Sequence, residues 1–310
     1  MILCVNANAA IDKTVIVENF TLNAIHRPSV EMILPGGKSC NVARAAKTLG
    51  LSAVVAGWVG GHAGNFIEAA LQEEGIQTAF IHTALESRTC LSIVDPVHGT
   101  LTEIYEKGQP VSAAEIQAFV RLYQEWLGRV DLVTLCGSLQ AGVPPRLFAD
   151  LALQARASGV RAVLDTSAAA LHLGVEEGCP YMLKCNRSEL AELAGKPLDN
   201  LEDLKQAARD LAQRRDMLVV VTLGAAGAVA VAEGRLWLAH APRIASVSAV
   251  GSGDAFLAGL ACGLLSDQVL AESLRLAVAA GSANALQLGA GRLDLADVQR
   301  LREQVIVKEE

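Results

Sequence analysis

The sequence predicts an α/β fold, in which a doubly wound and mostly parallel sheet carries helices on both faces. Short runs of almost continuous apolar residues recur along the chain, as is typical of parallel strands buried on both sides. Amphipathic helix patterns separate these runs. The 310 residues, of which 52% are hydrophobic, suffice for one large α/β domain with an excursion or for two domains. Ligands of such folds bind at the carboxyl ends of the strands.

The strongest strand and helix patterns alternate through most of the chain. The strand-like runs are ILCVN, AVVAGWVG, DLVTLCG, RAVLDTS and LVVVTLG, and the clearest helix patterns cover residues 112–128, 144–159 and 200–216. The first of these helices opens with a capping box made by Ser112 and Glu115. The second begins at prolines and ends at Gly159, and the third has Asn200 as its cap.

Two segments break this alternation. Residues 14–34 contain strand-like runs without a helix pattern, and residues 88–106 indicate a hairpin that turns between Asp95 and Gly99. We predict that the two segments pair into a small sheet, with strands inserted at about residues 12–34 and 88–107. This sheet is either a flap that covers a ligand and excludes water or an ordinary extension of the domain.

Charge and composition exclude several classes of protein. The net charge is −7 and no basic run is present, so a general nucleic-acid binder is not expected. No stretch approaches the roughly 18 to 20 apolar residues of a membrane span, and the N-terminus lacks the basic region of a secretion signal. Seven scattered cysteines give no zinc pattern and favour reduced thiols in a cytoplasmic protein.

Two glycines precede a helix pattern in PGGKSCNVARAAKTLG. Glycine lets another group approach the backbone closely, and a helix N-terminus presents free N–H groups. Lys38 and Asn41 lie near that terminus. A tight turn with a cap explains the segment equally well. Upstream, Asp12 follows the first strand in NANAAIDKT, where it either accepts hydrogen bonds from a polyol or serves as a turn residue.

Two further segments permit both a structural and a functional interpretation. In LKCNRSELAELAG, Asn186 and Glu189 lie three residues apart near a helix start. This spacing is common in helix capping, but the pair could also orient waters bound to Mg²⁺ beside phosphates. The segment VTLGAAGAVAVAEG predicts a strand, a glycine-rich turn and a strand, which is an ordinary hairpin or a backbone surface for a nucleotide.

The segment VGSGDAFLAGLACGLL sets a carboxylate beside an anion-binding turn. Gly251, Ser252 and Gly253 can direct several N–H groups to one point at the start of a helix. Asp254 would repel a phosphate held there, by on the order of several kcal/mol at intermediate dielectric. The conflict disappears if Asp254 faces a hydroxyl that attacks the phosphate and accepts its proton. A helix cap remains the simpler interpretation of this segment alone.

In their order and spacing, these five segments resemble the PfkB branch of the ribokinase superfamily. The resemblance extends from NANAAIDKT to AAGSANA, which is essentially the whole chain. GGKSCNVA is similar to the first family signature and VGSGDAFLAGL to the second, which usually has Ala where Ser252 stands. The resemblance implies a single ribokinase-like α/β domain over residues 1–310 with a β-sheet lid, through which a homodimer often forms.

The resemblance also implies roles for individual residues. Asp254 matches the catalytic base, and the anion hole corresponds to Gly251, Ser252 and Gly253. Substrate-binding positions fall on Asp12, Gly36, Gly37, Lys38, Asn41 and Arg88, with Arg88 matching an arginine that holds the substrate's existing phosphate. Nucleotide-binding positions fall on Lys184, Asn186, Thr222, Gly224, Gly227 and Asn284. Glu189 is expected to act on Mg²⁺ through water.

The substrate class is implied by resemblance to one group within the family. GGK followed by NVA, SRTCLSI and TEIYEKG are similar to the 1-phosphofructokinase and tagatose-6-phosphate kinase group. This implies ATP and Mg²⁺, a sugar phosphate as substrate, and a monovalent cation near residues 286–291. Kinases of fructose 6-phosphate, of an unphosphorylated sugar or nucleoside, and a catalytically silent sensor are the alternatives. Ala9, Gln140 and Cys185 stand where the family usually has Pro.

Overall fold

The computed structural model describes residues 1–310, which form two β-sheets and ten α-helices. The strands are β1 (Ile2–Asn6), β2 (Ala10–Ile16), β3 (Val30–Gly36), β4 (Ala53–Gly60), β5 (Gln77–Thr83), β6 (Arg88–Asp95), β7 (Thr100–Tyr105), β8 (Leu132–Cys136), β9 (Arg161–Asp165), β10 (Met182–Asn186), β11 (Leu218–Thr222), β12 (Ala228–Ala232), β13 (Arg235–His240) and β14 (Ile306–Glu309). The helices are α1 (Lys38–Thr48), α2 (Gly61–Glu73), α3 (Ala113–Leu127), α4 (Leu147–Ala157), α5 (Ala168–Glu177), α6 (Arg187–Ala194), α7 (Leu201–Arg215), α8 (Ser252–Leu265), α9 (Leu270–Ala285) and α10 (Leu295–Arg302).

The main sheet has ten strands in the order β14-β13-β12-β11-β10-β9-β8-β1-β4-β5. Neighbours from β11 to β5 pair in parallel, whereas β12, β13 and β14 pair antiparallel at one edge. The winding reverses at β1, which lies between β4 and β8. Such a reversal opens a crevice at the carboxyl ends of the strands, where open α/β sheets bind ligands.

Two hydrophobic cores of 42 and 39 buried residues lie on opposite faces of this sheet. β1 illustrates this arrangement, because its successive side chains point alternately into the two cores. Leu3 and Val5 belong to the larger core, and Ile2 and Cys4 belong to the other. A strand buried on both faces has to be apolar throughout. The doubly wound sheet predicted from the sequence is therefore confirmed.

The second sheet has four strands in the order β3-β2-β6-β7 and is called the lid below. Its strands come from the two segments that broke the alternation of the sequence. The lid starts slightly earlier than predicted because Ala10 already pairs with Gly36 and with Arg88. Asp12 therefore lies inside β2. The hairpin turns after Asp95, whose buried carboxylate accepts hydrogen bonds from the backbone of Asn19, Phe20, Val97 and His98.

Local capping signals in the sequence correspond to real helix starts. Ser112 and Glu115 form both hydrogen bonds of a capping box at α3, and Asn200 caps α7. The predicted helix at residue 144 begins only at Leu147, because a turn with two prolines precedes it. None of the helices is both long and apolar enough to span a membrane.

Candidate active site

Asp254 lies in the first turn of α8 and is almost entirely buried. Burial raises the pKa of its carboxyl group from 3.8 to about 6, although the ammonium groups of Lys38 and Lys184 oppose this shift. The side-chain Nδ2 of Asn41 donates a hydrogen bond to Oδ2 of Asp254 at 2.9 Å. Asp254 is thus a carboxylate above pH 6 that can still accept a proton near neutrality.

The turn before Asp254 provides free backbone donors. The N–H groups of Gly251 and Gly253 have no hydrogen-bond partner within the chain, whereas the N–H of Ser252 donates to the carbonyl of Ala249 at 3.2 Å. The N–H of Ser252, which was predicted as a third donor of the anion hole, thus takes part in a hydrogen bond within the turn. Gly251 has a φ of 80°, and a Cβ there would lie 2.5 Å from Cα of Ala290, so only glycine fits.

Two lysines converge on one buried carboxylate next to this turn. Nζ of Lys38 lies 2.7 Å from Oδ1 of Asp165, and Nζ of Lys184 lies 2.6 Å from Oδ2. Burial alone would raise the pKa of Asp165, but the two ammonium groups outweigh it and hold that pKa below its usual range. A Cβ on Gly253 would lie 3.4 Å from Nζ of Lys184. The cluster therefore places positive charge at the start of α8.

Asp165 is the site residue that the sequence analysis missed. It is the last residue of β9 and its side chain is 1% exposed. The run RAVLDTS was interpreted only as a strand. Asp165 is an ionisable residue directly after three apolar ones, Ala162, Val163 and Leu164. It stands at a carboxyl end of a strand, where the fold class already predicted ligands.

The paired glycines at the end of β3 pack against two polar side chains. A Cβ on Gly36 would lie 2.1 Å from the carboxyl carbon of Asp12, and one on Gly37 would lie 2.5 Å from Oδ1 of Asn6. The N–H of Gly37 approaches Oδ2 of Asp12 at 3.4 Å. Burial raises the pKa of Asp12. The predicted turn and the predicted carboxylate therefore form one structural unit at the entrance of α1.

Arg88 joins the lid to the main sheet at the first residue of β6. Its Nε and Nη2 donate to the carbonyl of Asn8 at 3.3 and 3.1 Å, and Nη1 donates to the carbonyl of Glu106 at 3.0 Å. Two of the five guanidinium N–H groups remain for a ligand. Nδ2 of Asn8 donates to the hydroxyl of Ser138 at 3.0 Å. These contacts fix the guanidinium at the base of the lid.

Asn186 and Glu189 form a complete capping box at the start of α6. Oδ1 of Asn186 accepts from the N–H of Glu189 at 2.9 Å, and Oε2 of Glu189 accepts from the N–H of Asn186 at 2.8 Å. Helix capping therefore explains both residues. The second carboxylate oxygen of Glu189 has no hydrogen-bond partner within the chain, and so could accept a hydrogen bond from a metal-bound water.

Of the remaining residues predicted to bind the nucleotide, some lie at the end of a strand next to open space, and others contact the chain itself. Thr222 and Gly224 lie at the carboxyl end of β11, where Gly224 has open space around it. Gly227 packs against backbone, since a Cβ there would lie 1.9 Å from the carbonyl oxygen of Ala239. Asn284 is fully buried and was predicted near the adenine or ribose. Its amide forms hydrogen bonds with the backbone of Gly289 and Gly291, so Asn284 stabilises the 289–291 loop.

A direct protein cage for a metal is absent, because no three His, Cys, Asp or Glu side chains are grouped to hold an ion. Mg²⁺ usually keeps several waters and binds through one or two carboxylates together with substrate phosphates. The free oxygen of Glu189 fits that mode of binding. If Mg²⁺ binds here, Glu189 is the residue that would hold it, through water.

Comparison with known proteins agrees with this arrangement. Residues 3–296 match the pfkB family carbohydrate kinases. The chain belongs to this family. This kinase is 37% identical over 279 residues to the 1-phosphofructokinase of Rhodobacter capsulatus, an alignment that covers 90% of the chain and 88% of that relative. It is thus an ATP-dependent sugar kinase with the ribokinase-like fold expected from its sequence.

Solved structures of related kinases superimpose over almost the whole chain. Phosphofructokinase-2 of Escherichia coli in complex with potassium has a TM-score of 0.90 and 26% identity, with 98% of each chain covered. A possible 1-phosphofructokinase of Thermotoga maritima also has a TM-score of 0.90, with 25% identity and coverage of 100% of this kinase and 99% of that chain. Both sheets and the site between them lie within these alignments.

Proposed function

We propose that this kinase transfers the γ-phosphoryl group of ATP to a ketohexose monophosphate and forms a bisphosphate, as a 1-phosphofructokinase or a tagatose-6-phosphate kinase does. One observation carries the proposal. The buried carboxylate of Asp254 directly follows the free N–H groups of Gly251 and Gly253, beside the Lys38–Asp165–Lys184 cluster. A base and an anion-binding turn in contact with each other are what phosphoryl transfer to a hydroxyl requires.

Each residue of the site then has a separate role in phosphoryl transfer. Asp254 accepts the proton of the attacking hydroxyl as the O–P bond forms, and a base with a pKa near the working pH suits this step. The N–H groups of Gly251 and Gly253, together with Lys184, stabilise the charge on the transferred group. Asp12 accepts hydrogen bonds from sugar hydroxyls. Mg²⁺, when bound, neutralises charge between the phosphates of ATP.

Arg88 supports a phosphorylated sugar as the substrate. Its guanidinium is held at the base of the lid with N–H groups to spare, and arginine binds phosphate through paired N–H donors. A kinase of an unphosphorylated sugar has no need of such a cation. Fructose 6-phosphate remains the second candidate, because the E. coli phosphofructokinase-2 complex with fructose-6-phosphate has a TM-score of 0.88 to this chain at 26% identity.

The experiment that tests the proposal is a substrate panel with ADP release as the readout. The panel contains fructose 1-phosphate, tagatose 6-phosphate, fructose 6-phosphate, the free sugars and a nucleoside. It is run with potassium and with tetramethylammonium, since we also propose that a monovalent cation binds near residues 286–291. A ketohexose monophosphate should have the highest kcat/KM. Equal or faster turnover of a free sugar or nucleoside would overturn the substrate class, and ligand binding without ADP release would indicate a sensor.

The same panel tests the role of Asp254. Asp254→Asn keeps the size of the side chain but cannot accept a proton, so kcat should fall by several powers of ten while ATP binding is largely retained. Isothermal titration with ATP provides the binding control. A kcat within tenfold of the wild-type value would contradict the assignment of Asp254 as the base.

We further propose that the lid forms a homodimer through its outer surface. Lys13 pairs with Ile33 and Leu91, and Leu91 pairs with Ile104, so these four residues form one row across the lid. Ile33 and Ile104 are 47% and 57% exposed. Side chains alternate between the faces of a sheet, and Asp12 and Tyr105 belong to the opposite face, which borders the cleft. A second copy of the chain can cover this row without blocking the site.

A further inference from the structure

Arg44 connects three parts of the active site without belonging to any of them. It lies on α1, is buried and uses all five guanidinium N–H groups. Nη1 donates to Oδ1 of Asn41 at 3.2 Å and to the carbonyl of Ala290 at 2.9 Å. Nη2 donates to the carbonyl of Pro35 at 2.8 Å, and the carboxylate of Glu74 accepts the remaining hydrogen bonds.

The amide of Asn41 has two neighbours of opposite hydrogen-bonding character. Arginine is a donor only, and an ionised carboxylate is an acceptor only. Oδ1 of Asn41 therefore has to face Arg44, and Nδ2 has to face Asp254, as the contacts at 3.2 and 2.9 Å show. A flipped amide would oppose donor to donor and acceptor to acceptor. Arg44 thus selects the orientation in which Asn41 stabilises the charged form of Asp254.

The contact between Arg44 and Ala290 reaches the anion-binding turn from another side. Ala290 packs so closely on Gly251 that a Cβ on Gly251 would lie 2.5 Å from Cα of Ala290. The same loop passes the backbone of Asn41, because a Cβ on Gly291 would lie 2.4 Å from the carbonyl oxygen of Asn41. Holding the Ala290 carbonyl therefore holds the wall on which Gly251 rests.

We propose that Arg44 is a positioning residue for phosphoryl transfer, which fixes the Asn41 amide towards Asp254 and the 289–291 loop against Gly251. The inference rests on the proposed role of Asp254 as the base. Other charged or titratable groups that face Asp254 are Lys38 on α1, Asp165 on β9, Lys184 on β10 and Cys136 on β8. None of these side chains is hydrogen-bonded to Arg44, so an Arg44 variant changes the surroundings of Asp254 through Asn41.

The test is the pH profile of kcat/KM in two variants. Arg44→Lys retains the positive charge, but one ammonium group drawn to Glu74 cannot also serve Asn41, Ala290 and Pro35. Arg44→Met removes every donor while keeping much of the stem. In both variants the acid limb, which reports protonation of Asp254, should move to higher pH by about one pH unit. The value of kcat above the limb should also fall, because the anion-binding turn loses its support.

Glu74→Gln is the matched control. It weakens the ion pair of Arg44 but leaves the contacts with Asn41, Ala290 and Pro35 in place, so it should lower stability to urea without moving the acid limb. In an Asn41→Leu background, Arg44→Lys should move the limb no further, because both residues act through the same amide. The Lys variant keeps the assay usable if the Met variant does not fold.

Two results would separate the possible failures. An unmoved acid limb in a folded Arg44→Lys protein, with Asp254→Asn inactive, would overturn the positioning role while leaving Asp254 as the base. Near-normal turnover of Asp254→Asn would overturn the base assignment itself, and the inference about Arg44 would fall with it. If the acid limb moves as far in Glu74→Gln as in the Arg44 variants, Arg44 acts only through its structural ion pair with Glu74, and the positioning role is overturned.

Discussion

The burial that raises the pKa of Asp254 towards the range of its proposed role as a base also makes the charged carboxylate energetically unfavourable. Its pKa is 3.8 in the unfolded chain and about 6 in the folded one, so between these values the folded chain retains a proton that the unfolded chain has lost. The stability contribution of this group is present in full below pH 3.8. This contribution is lost as the pH rises through 6, which lowers the free energy of unfolding by up to about 3 kcal/mol.

Asp254→Asn should therefore make the protein more stable at high pH, although we expect it to lower kcat. We expect the free energy of unfolding in urea to exceed the wild-type value by up to about 3 kcal/mol at pH 8, with most of that gain absent at pH 4. Asp199→Asn, the same change on an exposed surface, is the control and should show no such pH dependence. A pH-independent difference for Asp254→Asn would contradict the raised pKa.

Arg88 should control the choice between a sugar and its phosphate. Removing the guanidinium in Arg88→Ala takes away the proposed partner of the substrate phosphate, so KM for the sugar phosphate should rise at least about tenfold, as expected for a lost charge-assisted hydrogen bond. KM for the free sugar should change little. Arg156→Ala removes an exposed cation on α4, outside the lid, and should leave both values unchanged. Equal effects of Arg88→Ala on the two sugars would refute the role of Arg88.

Single residues were predictable where a local pattern marks them and not where distant segments meet. The glycines around Asp254, and Asp254 itself, are recognisable within a few positions of sequence. Asp165 becomes a site residue only because Lys38 and Lys184 reach it from other elements. Ser252 was predicted in the anion hole with the two glycines, but its N–H donates to the carbonyl of Ala249, three residues earlier. The sequence does not fix which N–H groups a turn uses internally.

At the level of elements, two glycines follow β11. Gly227 is required for packing, whereas Gly224 is expected to be required for nucleotide binding. Gly227→Ala should lower the free energy of unfolding by more than about 2 kcal/mol, because φ is 107° and the new Cβ meets the carbonyl of Ala239. Gly224→Ala has φ of 59° in open space and should cost about 1 kcal/mol. Only Gly224→Ala should raise KM for ATP in a folded protein. Unchanged KM would remove Gly224 from the nucleotide site.

The capping boxes of α3 and α6 provide a second matched pair. Asn186→Ala and Ser112→Ala each remove a side-chain cap, so each should cost about 1 kcal/mol in the free energy of unfolding. If Asn186 and Glu189 also orient Mg²⁺-bound water, only Asn186→Ala should raise KM for the Mg²⁺–ATP complex. Titration with Mg²⁺ at fixed ATP measures this effect. Identical KM values in the two variants would leave Asn186 as a helix cap alone.

Strands with a continuous apolar run were predicted from the sequence. Strands at the edges of the sheet, which depend on pairing with a neighbouring strand, were not. The apolar runs of β1, β4, β8, β9 and β11 are buried on both faces, which leaves an unmistakable composition. β5 is an edge strand, mostly half-buried, and β13 and β14 complete the antiparallel edge. β5 and β14 have no fully buried residue, whereas β13 is buried at its four central residues. β5 pairs with β4, β13 with β12 and β14 with β13, so each of these strands depends on its partner.

At the scale of the whole molecule, the lid has two faces with different tasks. The inner face contributes Asp12 and Tyr105 to the cleft. The outer face keeps Ile33 and Ile104 about half exposed, on a sheet too small to need them for its own core. Only Val15, Val17 and Ile93 form a small buried cluster within the lid. Exposed apolar residues aligned across a sheet indicate a surface that another protein covers.

Ile104→Asp should therefore split the proposed homodimer and leave the fold of the main sheet intact. A carboxylate in the middle of a buried interface loses its hydration without gaining a partner, so the mass measured by sedimentation equilibrium should fall from two chains to one. Leu153→Asp adds the same charge at an exposed apolar residue on α4, a helix that packs against the main sheet and its neighbouring helices, and should not change the mass. A wild-type protein that is monomeric at micromolar concentration, or an Ile104→Asp variant that remains dimeric, would refute a dimer through the outer face of the lid. Because Arg88 anchors β6 next to the site, loss of the dimer should also raise KM for the sugar phosphate more than KM for ATP.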